Sequence, residues 1–159
     1  MISVLLATSL CVGCMAEEIG HVDTAWKMLG PNPRIIVEAF DDPDIPTVTC
    51  WVSRPLSGGL SGAVGLAANP SHGSITCHQR GAMMFSPALQ RQLERENTRD
   101  GTEVFKTQTS PLLKSMRVTR LFDSRRRTVL YIAWSDDRSD GTQTPNHSLS
   151  GVPIRPWPQ

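Results

Sequence analysis

Val48 to Ser53 reads VTCWVS, and this short stretch decides the fold class. Val48, Cys50 and Val52 fall on one side of an extended chain and Thr49, Trp51 and Ser53 on the other, the period-2 pattern of a strand with one buried face. The cysteine therefore shares the apolar side. Upstream, Arg34 to Phe40 (RIIVEAF) reads as another strand, with Ile35, Val37 and Ala39 on one side, closed by the turn residues Asp41-Asp42-Pro43-Asp44. Downstream, Ser74 to His78 is a third, in which Ile75 and Cys77 share a face.

The glycine-rich run Ser57 to Asn69 (SGGLSGAVGLAAN) places Leu60, Ala63, Val64 and Ala67 at helical spacing. Gly62 and Gly65 would each cost about 1 kcal/mol inside a helix, so the run is expected to be a short, poor helix or an ordered loop. A better helix signal follows at Ser86-Pro87-ALQRQLERE: Ser86 suits the N-cap, Pro87 the first helical position, and Leu89 and Leu93 form one stripe. Its end is expected near Asn97 to Gly101. Glu103 to Lys106, Ser115 to Asp123 and Thr128 to Ser135 then read as strands, the last two joined as a hairpin at Ser124 to Arg127. The tail from Pro145 to Gln159 is expected to be extended. Together these elements predict an α+β chain: a single, mostly antiparallel β domain, sheet or sandwich, with one short helix and room for a second.

Residues 1–16, MISVLLATSLCVGCMA, carry no charge and give way abruptly to Glu17 and Glu18. This is the outline of a signal peptide cleaved between Ala16 and Glu17, leaving residues 17–159 as one domain. A permanent transmembrane anchor, which needs about 20 apolar residues, is not expected. Lipidation at Cys14 is the alternative for this segment, although Cys11 occupies the place where leucine is usual. Export leaves Cys50 and Cys77, neither in a CxxC motif nor near histidine at ligand spacing, so the pair predicts one structural disulfide.

Sixteen basic and fifteen acidic residues almost cancel, which argues against a general affinity for nucleic acid. Their distribution is uneven: residues 17–79 hold 3 basic and 7 acidic side chains, residues 80–159 hold 13 and 8. Either the halves form an acidic and a basic face, or they interleave and neutralise one another.

No nucleophile, zinc or phosphate-loop motif emerges, and no catalytic, cofactor-binding or metal-ligating residue is assigned. His21, His72, His78 and His147 are scattered, and Arg125 to Arg127 read as a solvated turn. The candidate ligand surface comprises Asp41 and Asp42, in the densest carboxylate cluster, Arg54, able to hold an anion through its guanidinium fork, and Gly58 and Gly59 in the adjoining loop.

EEIGHVDTAWKMLGP at Glu17 to Pro31, IIVEAFDDPDI at Ile35 to Ile45, VTCWVSRPLSGGLSG at Val48 to Gly62 and VPIRPWP at Val152 to Pro158 resemble the CreA family of bacterial periplasmic proteins. The resemblance spans nearly all of the chain after residue 16 and includes the positions of both retained cysteines. It departs from the family at Ala68-Asn69 and His78. The resemblance implies an exported protein and carries no activity or cofactor. The expected role is a non-enzymatic binding or interaction module of the cell envelope, with another envelope protein or a small anionic ligand as partner. The alternatives are an enzyme with Asp41 or Asp42 as general base near Arg54, or a structural accessory protein with an exposed apolar patch.

Overall fold

A computed structural model describes residues 16–56, 73–96, 100–108, 114–137 and 146–156. Among these described residues, eight strands form two four-stranded antiparallel sheets, each a meander in chain order. The first contains β1 (Glu17–Asp23), β2 (Arg34–Asp41), β3 (Val48–Leu56) and β4 (Ser74–Gln79). The second contains β5 (Thr102–Gln108), β6 (Lys114–Asp123), β7 (Thr128–Asp137) and β8 (His147–Pro153). Helix α1 (Pro87–Glu96) lies between the sheets in sequence.

β3 follows the alternation read from VTCWVS: Val48, Cys50 and Val52 are buried. Across the β3–β4 ladder Cys50 faces Cys77, and the two form a disulfide with Cα atoms 4.0 Å apart. In an antiparallel pair such close positions are those that exchange no backbone hydrogen bonds. The Cys77 amide is accordingly turned outward, where it donates to Ser150 Oγ at 2.9 Å. The Ile75 amide does the same to Ser148 Oγ at 3.3 Å. Serines of β8 thus meet the outer edge of β4, joining one sheet to the other without a backbone ladder.

Helix α1 begins as its sequence dictates. Ser86 Oγ accepts from the Leu89 amide at 3.2 Å, and Leu89 and Leu93 are buried. The hairpin between β6 and β7 turns at 124–127, with Arg127 at a φ of 50°. The apolar interior draws on both sheets and the helix, and the rings of Phe40 and Phe105 stack across it with centroids 4.3 Å apart.

Three features differ from the sequence reading. β2 buries Ile36 and Phe40, not the side bearing Ile35, Val37 and Ala39, and Ile35 is exposed. Ile35-Ile36-Val37 is apolar on both faces, so alternation there cannot choose one, and Glu38 makes the true core face look polar. β1 is an additional strand, and part of the extended tail pairs with β7 as β8. The glycine-rich run 57–69 lies outside the described residues.

Candidate functional site

The turn Asp41-Asp42-Pro43-Asp44 separates its carboxylates by environment. Asp41 remains at the surface, where it accepts from Thr49 Oγ1 and pairs with Arg80 at 2.7 Å. Asp42 turns inward and is fully enclosed. Its Oδ1 accepts the amides of Asp44 at 2.8 Å and Ile45 at 3.0 Å, closing the turn on its own side chain.

A longer-range cluster is built on that turn. Arg120, in the middle of β6 and without solvent exposure, donates from Nη1 to Asp42 Oδ1 at 2.6 Å. Its Nη2 reaches Asp44 Oδ2 at 2.9 Å and Glu96 Oε1 at 2.7 Å, and its Nε reaches Glu96 Oε2 at 3.0 Å. Tyr131 Oη on β7 donates to Asp42 Oδ2 at 2.7 Å, and Thr102 Oγ1 on β5 donates to Glu96 Oε1 at 2.6 Å. Glu96 ends α1, where a negative charge opposes the helix dipole. The guanidinium compensates it there.

Burial by itself would lower the pKa of Arg120, but the hydrogen bonds that it donates to Glu96 and Asp42, with the negative charges of both, outweigh it and hold the pKa above the ordinary range. Burial, reinforced by the Asp42 charge and hydrogen bond, pushes the Tyr131 hydroxyl well above an ordinary phenol. The cluster therefore keeps Arg120 charged and Tyr131 protonated. Both Asp42 oxygens are occupied and screened from solvent, so the arrangement suits a fixed structural charge cluster rather than proton exchange with a substrate.

Arg54 does not join this cluster. It is buried on the inner face of β3 and grips Glu38 of β2 through Nε at 2.7 Å and Nη2 at 3.2 Å. Arg54 pairs in register with Ile36, whereas Thr49 pairs with Asp41. Five residues of strand at about 3.3 Å each therefore separate the two positions. The sequence-derived combination of Asp41, Asp42 and Arg54 is not assembled, because each charge finds a closer partner. Gly58 and Gly59 lie outside the described residues.

The cluster also resolves the charge asymmetry locally. Asp42 and Asp44 come from the acidic half of the chain and Arg120 from the basic half, so the halves interleave here. Sequence reasoning missed Arg120, Glu96 and Tyr131, though two carried a signal. Arg120 continues the buried stripe of Met116 and Val118, and Glu96 continues that of Leu89 and Leu93. A charged residue on an apolar stripe implies a buried partner. In the β6–β7 turn, Arg126 pairs with Asp123 at 2.8 Å and holds its carboxyl below the usual range, chiefly by that hydrogen bond.

No three acidic, histidine or cysteine side chains among the described residues are arranged to hold a metal. No helix among them is long and apolar enough to cross a membrane.

The surface offers a different kind of site. Between β1 and β2 the chain presents Trp26, Met28 and Leu29 at 75%, 84% and 75% exposure, while its polar groups tie the loop together. The Thr24 amide and hydroxyl both donate to the Pro33 carbonyl, at 2.8 and 3.0 Å. The Lys27 amide donates to Asn32 Oδ1 at 2.9 Å, Asn32 Nδ2 donates to Asp23 Oδ2 at 3.1 Å, and Gly30 takes a φ of 81°. Exposed Val22 and Ile35 face each other at the base. The result is an internally braced hairpin with an apolar crest.

Residues 19–157 match the protein family described as CreA protein. The chain is 44% identical over 144 residues to Protein CreA of Escherichia coli K12, covering 91% of this chain and 87% of the relative. It has the same identity and coverage with Protein CreA of Escherichia coli O157:H7. No solved structure matches the chain.

Proposed function

The chain belongs to the CreA family, and from that premise we propose that it is an exported interaction module of the bacterial cell envelope, docking a partner protein through the β1–β2 hairpin. The carrying observation is the braced crest of Trp26, Met28 and Leu29, with Val22 and Ile35 at its base. Large side chains held in water contribute little to folding stability, whereas an aromatic and two flexible apolar groups on one projection suit the buried centre of a protein interface. The Cys50–Cys77 bond favours an oxidising compartment, in agreement with a leader over residues 1–16. The shared interior favours the two sheets acting as one domain.

A photoreactive amino acid at position 28 tests the docking reading in cells. The expected result is a discrete protein adduct, absent when the probe replaces exposed Glu94 on α1 and abolished by combining Trp26→Ser with Leu29→Ser. No adduct at position 28, or an equal one from position 94, would refute it. Sequencing the N-terminus of the protein recovered from the periplasm tests export, with Glu17 expected as the first residue and an intact Met1 counting against it.

A further inference from the structure

We propose that the cleft where the outer edge of β4 meets β8 binds a small organic anion, specifically a carboxylate carried on a short apolar body. The cleft has a volume of about 480 Å³, and Thr76, His78, Ser150, Val152, Pro153 and Arg155 are among its lining residues. That size falls within the range of small-molecule sites. Its chemistry is one-sided, since among the described residues no aspartate or glutamate lines it.

The cationic anchor is fixed at its backbone. Gln79 donates from Nε2 to the Arg155 carbonyl at 3.0 Å, and its Oε1 accepts the Arg155 amide at 3.3 Å. The amide of one residue thus holds both polar backbone groups of the other, while the Arg155 guanidinium makes no ion pair with a described side chain. A guanidinium fork fits the two oxygens of a carboxylate.

Further donors line the same cleft. Ser150 Oγ already accepts the Cys77 amide, and a hydroxyl that accepts one hydrogen bond retains its own proton to donate. Thr76 Oγ1 lies 3.4 Å from His78 Nε2, and the imidazole, whose ring centroid is 5.9 Å from that of Trp51, adds an N–H at the solvent side. Val152, Pro153 and Pro156 give apolar lining residues. One end of a ligand is met by hydrogen-bond donors and the remainder by carbon. Two sources share this chemistry: a free short-chain carboxylic acid and the C-terminal residue of a peptide.

Backbone amide NMR titration of the oxidised protein tests the assignment, using hexanoate, hexanol, a short apolar peptide with a free C-terminus and its C-terminal amide. Saturable shifts confined to 76–79 and 150–156 are expected with a carboxylate ligand and not with hexanol or the peptide amide. Arg155→Gln, an exposed change that leaves the remaining spectrum intact, should weaken binding roughly tenfold or more. A response to hexanoate assigns the free acid, and a response to the peptide acid alone assigns the chain terminus. No saturable shift from either at millimolar concentration, or unchanged affinity in Arg155→Gln, would overturn the proposal.

Discussion

Arg120 and Asp42 stand 78 residues apart in sequence and meet at 2.6 Å, with neither side chain exposed to water. Around this contact the β2–β3 turn, the end of α1 and three strands of the second sheet share one set of charges. Arg120→Met would leave the buried Asp42 and Glu96 carboxylates without their cation, and removing one side of a buried ion pair costs about 3–5 kcal/mol. The urea midpoint should fall accordingly. Arg120→Lys, which keeps the charge but loses the planar fork, should lie between the parent and Arg120→Met.

Tyr131 is the only tyrosine in the chain, so tyrosinate absorbance reports this position alone. In the unfolded chain it ionises near its ordinary value of 10.0, whereas in the folded protein burial and Asp42 hold the proton well above that. The folded form then binds more protons than the unfolded form as pH rises past 10. Its contribution to stability is complete below that pH and is lost above it, at about 1.4 kcal/mol per unit. Tyrosinate absorbance should appear together with unfolding rather than before it. Tyr131→Phe should abolish that component of the alkaline slope while costing about 1.5–3 kcal/mol at neutral pH, through loss of the bond to Asp42.

Reduction of the Cys50–Cys77 bond should lower stability without altering the arrangement of strands. The cysteines are 27 positions apart, and the chain-entropy relation gives about 3–4 kcal/mol for a loop of this length. Melting with and without reductant measures the effect. The double change Cys50→Ala with Cys77→Ala should melt like the reduced parent and show no response to reductant.

Gly101 enters β5 at a φ of +57°, and a Cβ there would lie 2.3 Å from the Arg120 carbonyl oxygen and 2.8 Å from side-chain carbons of Thr119 and Leu121. Gly101→Ala combines a left-handed backbone, which costs about 1–2 kcal/mol, with a collision against β6 beside the buried charges. A loss above about 2 kcal/mol is expected in chemical denaturation. Gly20→Ala is the control, since its Cβ would meet nothing within 4 Å, and its effect should stay within about 0.5 kcal/mol.

The elements legible in the sequence are those whose local pattern and tertiary role coincide. Val48, Cys50 and Val52 alternate and are buried together, Ser86 and Pro87 open α1, and the β6–β7 turn lies between two apolar strands. β1 and β8 escaped because edge strands expose most of their side chains: β1 buries none, and β8 buries only Val152. Long-range charge pairing was equally hidden. Asp42 was singled out for its neighbours in sequence, whereas its role depends on Arg120 and Tyr131, which no local spacing connects to it. The apolar crest was present in the letters TAWKML, but only the folded hairpin distinguishes an exposed tryptophan from a core one.

The serine contacts at β4 have a consequence for behaviour at high concentration. Outward-facing amides on a border strand are the template that a foreign chain copies when proteins join edge to edge. At Ile75 and Cys77 those amides are already occupied by hydroxyls of the same molecule, which leaves an intruding strand no free donors at those two positions.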